Sequence, residues 1–491
     1  MVSAPKNTQT QPTLLWFRQD LRLSDHPALT EAACRGPVIP VYILDEQGDG
    51  AWAPGAASRW WLHHSLADLD SSLRKLGSRL ILRRGESLAE LRALIRTTGS
   101  HCLHFSRRYE PAAAARDQEI LAALRSEGVA VEVFASALLH EPESIRTQTG
   151  KPYQVFTPFW KNLQSGADPL PPLLAPKRLA APDAWPDSLD LRALDLLPRN
   201  DWAAGLRESW RPGATGAKAL LRDHLPDILP HYPEGRDRPD RDGTSRLSPH
   251  LHFGEVGARE AWAAAGGYRG NQGNTNATPG PDGPRAAWRR QLAWREFSHH
   301  LLAHFPCTPD QPLRPAFAAF PWLADPVSLR AWQQGRTGYP YVDAGMRQLW
   351  ATGWMHNRVR MVAGSFLVKH LLLPWQAGAR WFWDTLVDAD LAQNTLGWQW
   401  VAGCGADAAP YFRIFNPVTQ GEGFDPEGAY VKRWVPELAG LPAVWIHKPW
   451  EAPEAVLRAA GLGPGRSYPA PIIAHAEART RALAALAFMK G

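Results

Sequence analysis

Cysteine is scarce in this sequence: 491 residues hold four, Cys34, Cys102, Cys307 and Cys404, far apart. That spacing provides neither a metal-ligand pair nor a disulfide framework, and a reduced, cytoplasmic setting is the expectation. No stretch approaches the roughly 20 apolar residues of a membrane span. The N-terminus, MVSAPKNTQTQPT, has no apolar signal-peptide core, so residues 1–12 read as a disordered lead-in. No repeat is visible. No G-x-G-x-x-G follows the first strand-like run, where WFRQDLRLSDHPAL stands instead, which argues against an ordinary dinucleotide fingerprint. Charge of one sign is also lacking: 54 Lys and Arg against 48 Asp and Glu leave only +6. So small an excess points weakly to a polyanionic partner.

What the chain has in excess is tryptophan, 23 residues. The stretch 381–420 combines Trp381, Trp383, Trp398 and Trp400 with Asp388, Asp390, Asn394 and Arg413. Aromatic surface mixed with charges that must be buried suits a large planar, polar cofactor; a Trp-rich helical core whose Asp pair caps a turn is the alternative. The length implies at least two domains. From Thr13, short branched runs (TLLWF, VIPVYIL, RLILR, CLHFS, VAVEVF) alternate with helical patterns at 25–35, 56–76, 87–98 and 112–127. This alternation predicts an α/β Rossmann-like domain with a parallel sheet over 13–135. Ser24 or Asp25 is the expected cap of its first helix. Residues 136–200, dense in Pro, Leu and Ala apart from FTPFWKNL, read as an interdomain linker. From 201 to 491 helical periodicity dominates, predicting an all-α domain, with a Gly/Asn/Pro loop at 267–286.

Within that domain, Thr244, Ser245 and Ser248 place hydroxyls in a turn ahead of a helix, a phosphate grip or an ordinary cap. Arg236, Arg238 and Arg241 read as a basic cluster on the preceding loop. Trp288, Gln291, Trp294 and Arg295 share one helical face, for core packing or for stacking on a base-like ring. In GWMHNRVRM, Asn357, Arg360 and Met361 fall on one side and Arg358 on another. His356 reads as structural, since no second ligand lies at metal spacing.

These blocks together resemble the signatures of the photolyase/cryptochrome family. The resemblance is carried by WFRQDLRLSDHPAL, GTSRLSPHLHFGEV, QLAWREF, TGYPYVDAGMRQL, GWMHNRVRM, DADLAQN, GWQWVAGCGADAAPYFRIFNP and FDPEGAYVKRWVPEL. They stand in the family's order from about residue 13 to about residue 475. The resemblance implies a helical domain holding FAD. Tyr232, Thr244, Ser245, Arg246, Leu247 and Ser248 match its diphosphate-side contacts; Trp288, Asn357, Arg360, Asp388, Asp390 and Asn394 match its flavin and adenine contacts. Trp322, Trp375 and Trp398 match its electron-hopping chain.

The implied activity is light-dependent repair of UV-damaged DNA, in which an excited flavin passes an electron to a flipped-out pyrimidine dimer. Trp294 and Trp400 match the indoles flanking the lesion, Met361, Asn357 and Gln291 its further contacts, and Arg236, Arg358 and Arg413 the phosphate contacts. Asn394 is the residue type of photolyases at the position facing flavin N5, where plant and animal cryptochromes commonly carry Asp or Cys. GWMHNRVRM matches the cyclobutane-dimer type and lacks the histidine pair of six-four enzymes. Gln291 departs from the Glu of many cyclobutane-dimer enzymes. Ala112 and Ala113 replace the polar contacts of folate-binding members, so a deazaflavin, a flavin or no antenna is expected in place of folate in its usual mode. The runners-up are a cryptochrome-like sensor, a six-four enzyme and a flavin oxidoreductase. A short Ala-rich tail counts against a signalling extension. A monomer without an obligate protein partner is expected.

Overall fold

The computed structural model describes residues 11–266, 283–407, 412–462 and 468–490; the expected lead-in up to residue 10 and loop positions 267–282 lie outside them. Five parallel strands form one sheet in the order β3-β2-β1-β4-β5. They are β1 (Thr13–Phe17), β2 (Val38–Leu44), β3 (Ile81–Arg84), β4 (Cys102–Ser106) and β5 (Ala130–Phe134). Thr13 pairs with Val38 on one side and Cys102 on the other. Every residue of β1 and β2 is buried, as a parallel sheet covered on both faces requires. The covering helices are α1 (Pro27–Arg35), α2 (Ala56–Lys75), α3 (Ser87–Thr98) and α4 (Pro111–Ser126).

The cap of α1 differs from expectation. His26, not Ser24 or Asp25, holds the N-cap, its Nδ1 accepting the Leu29 N–H at 3.1 Å. Asp25 is diverted: it adopts φ 51°, and its carboxylate meets Arg259 at 2.6 Å and accepts the Leu173 N–H.

The Pro/Leu/Ala segment lies along the sheet domain, with backbone bonds from Asp25 to Leu173, from Val38 to Ala180 and from Leu179 to Leu76. It also contains α5 (Phe156–Ser165), whose Phe156, Phe159 and Trp160 pack on Ala293, Phe297 and Leu301 of α6 (Pro284–His304). Beyond residue 201 the described residues form helices and no strand. Those that build the site are α6, α7 (Pro340–Thr352), α8 (Asn357–Ser365), α9 (Trp375–Thr385) and α10 (Leu391–Ala402). Of the C-terminal α11 (His475–Lys490), helical as the tail's composition suggested, one face packs on Phe320, Leu372 and Trp322.

The two regions meet along a tight seam. Trp61 of α2 lies parallel to Phe253, centroids 6.0 Å apart, and donates its indole N–H to Glu255 at 2.8 Å. Leu21 N–H reaches the Phe253 carbonyl, and at Gly254 (φ 63°) a Cβ would sit 2.1 Å from the Gln19 carbonyl oxygen. Only glycine fits so close an approach.

Candidate cofactor and lesion site

The site is organised by the turn between α9 and α10. Asp390 is the N-cap of α10, accepting the Gln393 N–H at 2.9 Å. It is buried, with its second oxygen 3.5 Å from His299 Nε2 and 3.8 Å from His252 Nδ1. Burial alone would raise its pKa; the two histidines and Arg295 reverse this and hold it far below the usual carboxylate range. Asp388 receives Arg360 Nη2 on both oxygens, at 3.1 and 2.9 Å, while Arg360 Nε is fixed by the Met355 carbonyl at 2.7 Å. One turn into α10, Asn394 donates its amide to the Ala379 carbonyl at 3.1 Å, and its Oδ1 has no partner among the described residues.

Helix α8 begins where His356 caps it, Nδ1 accepting the Arg358 N–H. Burial pushes the His356 imidazole down to about 4, so it is neutral and structural. Asn357 is exposed, with its amide 4.0 Å from Met361 Sδ. Arg358, on the opposite side from Arg360, binds Asp237 at 2.6 Å over the Phe424 ring.

On α6, Trp288 is buried and Gln291 half-buried, its amide donated to the Ala287 carbonyl. Trp294 stacks on Phe156 with centroids 3.7 Å apart and planes at 7°. Arg295 turns away from these three and binds the carbonyls of Ala137 and Leu251. Trp400 is half-buried, near Phe415, over which exposed Arg413 lies.

In the turn at 232–248, Tyr232 is buried beneath Arg236 and Leu247 is buried; Arg238 pairs with Asp240. Arg246 stands at φ 54°, its guanidinium over Trp210 and bonded to the Ser209 carbonyl. The hydroxyls of Thr244, Ser245 and Ser248 have no partner among the described residues.

Trp398 and Trp375 belong to one buried core, and Trp322 packs against it. Trp398 stands edge-on to Phe382 and Trp332, and lies so close to Gly378 that a Cβ there would be 2.0 Å from Trp398 Cη2.

Sequence reasoning missed four groups. Phe156 opens FTPFWKNL, which stands out from the linker around it but carries no sign of its partner. His252 and His299 carried no metal spacing. The demand on Gly378 comes from a ring twenty positions on, and no local signal marks it.

A cavity of about 280 Å³ opens at the carboxyl ends of β1, β2 and β4 between the two regions. Trp16, Arg18, Asp45, Trp52, Arg108, Ala112 and Trp383 line it, and the Trp16 and Trp52 indole N–H groups have no hydrogen-bond partner among the described residues. Open α/β sheets bind ligands at this edge.

Two family models match the chain: that of DNA photolyase over residues 13–177 and that of the FAD binding domain of DNA photolyase over 288–487. A deoxyribodipyrimidine photo-lyase of Agrobacterium fabrum is 49% identical over 98% of this chain and 99% of its own. The chain belongs to the photolyase/cryptochrome family. Cryptochrome-1 of Arabidopsis thaliana is 41% identical over 97% of the chain and 70% of its own length. The crystal structure of a bacterial class III photolyase from Agrobacterium tumefaciens superposes with a TM-score of 0.93 at 48% identity, covering all of both chains.

The residues present fit FAD. In the turn three hydroxyls lack partners among the described residues, as does the amide oxygen of Asn394, and with the fixed Arg360–Asp388 pair they offer the mixed donors and acceptors that a dinucleotide with a flavin requires. Among the described residues no group of three His, Cys, Asp or Glu could hold a metal, and no helix is long and apolar enough to cross a membrane.

Proposed function

We infer that this family member is a light-dependent DNA-repair enzyme that splits cyclobutane pyrimidine dimers. The observation that carries the reading is Asn394 on α10, amide anchored to Ala379 and Oδ1 without a partner among the described residues, with Trp400 about two turns further on. Bound FAD, reduced and excited by blue light, supplies the electron that opens the cyclobutane ring.

The chain's own residues do the rest. Thr244, Ser245 and Ser248 would hold the diphosphate of FAD, and Asp388, by fixing Arg360, would present its guanidinium to the flavin. Trp288 and Asn357 complete the cofactor walls. The buried Asp390 fixes the start of the helix that carries Asn394, Trp398 and Trp400. Trp294 and Trp400 flank the flipped dimer, with Trp294 held flat by Phe156. Gln291, Asn357 and Met361 line the lesion pocket. A Gln amide can donate to a pyrimidine carbonyl and accept from a ring N–H, but cannot share a proton as Glu would. Arg236, Arg358 and Arg413 meet phosphates, so binding weakens with salt. Trp398, Trp375 and Trp322 would carry electrons from a reductant at the protein surface towards FAD.

His356 is not a general acid of the kind six-four repair needs: it is buried, neutral and occupied with capping α8. The cavity at the sheet edge takes a planar antenna chromophore, with Ala112 excluding folate in the mode of members that carry polar contacts there. The deciding experiment illuminates oligonucleotides carrying either lesion. Restoration of the cyclobutane dimer is expected, and Gln291→Glu keeps that substrate; restoration of the six-four lesion alone refutes the lesion assignment, and restoration of neither favours the sensor.

A further inference from the structure

Lys369 is a buried cation with no role in the scheme above. It sits in the π-helical turn Phe366–His370 that continues α8 and is 3% exposed. Lysine seldom lies so deep without a carboxylate. None faces it among the described residues: the titratable groups around it are Arg413, Cys404 past the end of α10, neighbouring His370 and, through His370, His475 and Arg481 of α11. The ammonium instead donates to the Arg413 carbonyl and stands 4.3 Å from the centre of the Phe412 ring. The same short segment, Phe412–Asn416, has a second tether from the Phe415 N–H to Ser365 Oγ, 3.4 Å. It presents exposed Arg413 and sets Phe415 near Trp400. Lys369 therefore holds, from below, the backbone that carries a phosphate-side arginine and borders a lesion-side indole.

We propose that Lys369 is a positioning residue for DNA binding: its charged form fixes the segment Phe412–Asn416, and a DNA phosphate arriving at Arg413 draws a proton onto Lys369. The proposal rests on the DNA-binding reading above. Burial, reinforced by the positive charge of Arg413, pushes the Lys369 ammonium down to about 7. A phosphate beside Arg413 offsets that repulsion and raises the lysine's pKa in the complex. Affinity then carries a pH term with a definite sign. It is fully present below the free-state pKa and is lost as pH rises through the bound-state pKa, by up to about tenfold per pH unit between the two.

The test is calorimetric titration of the FAD-loaded protein in the dark with a duplex oligonucleotide containing one thymine cyclobutane dimer. Titrations at pH 6 and pH 8 in two buffers of different ionisation enthalpy give the protons taken up. Uptake approaching one proton is expected at pH 8 and little at pH 6. Lys369→Met should abolish the pH 8 uptake and weaken binding at pH 6. Lys369→Arg, which keeps the charge without titrating near neutrality, should bind tightly at both pH values with no uptake. Wild-type binding without uptake, or the same uptake in Lys369→Met, overturns the proposal and leaves the DNA-binding reading standing. Absence of any binding by the wild type removes both. If Lys369→Met does not fold, the wild-type and Lys369→Arg titrations still decide.

Discussion

The contact between Gly378 and Trp398 yields a sharp perturbation. Gly378→Ala would put a methyl carbon 2.0 Å from Trp398 Cη2, 2.4 Å from Cζ3 and 2.6 Å from Leu367 Cδ2. Ordinary contacts begin well beyond 3 Å, so the indole must withdraw by more than an ångström, and the packed walls at Phe382 and Trp332 oppose this. Overpacking of this kind costs about 1–3 kcal/mol, partly offset by the roughly 1 kcal/mol that Ala gains over Gly inside a helix. The expected net loss is about 0–2 kcal/mol, read by urea unfolding. The functional signature is separate: a displaced Trp398 slows blue-light reduction of oxidised flavin, while repair by flavin reduced beforehand with dithionite continues. Gly423→Ala, also helical but with open space where its Cβ would go, is the control and should be neutral or slightly stabilising with normal photoreduction. Photoreduction at the wild-type rate in Gly378→Ala would refute the assignment of Trp398 to the electron path.

Trp322→Phe and Trp375→Phe should each slow photoreduction without abolishing repair by pre-reduced flavin; unchanged rates in both, measured by absorbance under blue light, count against the chain. Asp388→Asn leaves Arg360 without its anion, a loss of about 1.5–3 kcal/mol for a charged hydrogen bond, and should lower the flavin-to-protein absorbance ratio of the purified protein. His356, pushed down to about 4 by burial, binds its proton more readily in the unfolded chain, so stability is full above about pH 6.5 and falls as pH drops towards 4. His300 and His370 act in the same direction. His356→Asn keeps a capping side chain and should make the melting temperature less sensitive to acid over this window; an unchanged slope would show that His356 does not titrate on unfolding.

The sheet was legible because parallel strands buried on both faces read as short, nearly continuous apolar runs, and TLLWF and VIPVYIL are buried at every position. The cap of α1 was not, because Arg259 and Leu173, both more than 140 positions away, capture Asp25 and leave His26 to accept the Leu29 N–H. In the site, the blocks carrying Asp388, Asp390, Asn394 and Arg360 were readable as motifs. Their partners were less so: His252 and His299 reach Asp390 from other helices, and Phe156 stacks on Trp294 from FTPFWKNL, an apolar stretch within the linker whose partner nothing local names. In the turn at 244–248 the motif marks the residues, while the Arg246 guanidinium packs on Trp210 and bonds the Ser209 carbonyl, partners that no local signal announces.

The seam between Gln19–Leu21 and Phe253–Glu255 sets the rules for recombining relatives. A fragment starting near residue 201 would uncover Phe253, strip Glu255 of the Trp61 indole and leave the Gly254 backbone without the strand-end loop it abuts. A chimaera that takes its sheet from one parent and its helices from another therefore inherits a joint shaped by neither. Crossovers that keep Gln19, Trp61 and Phe253–Glu255 from a single parent preserve that joint, so the unit available for exchange is the whole chain on both sides of the seam rather than either domain.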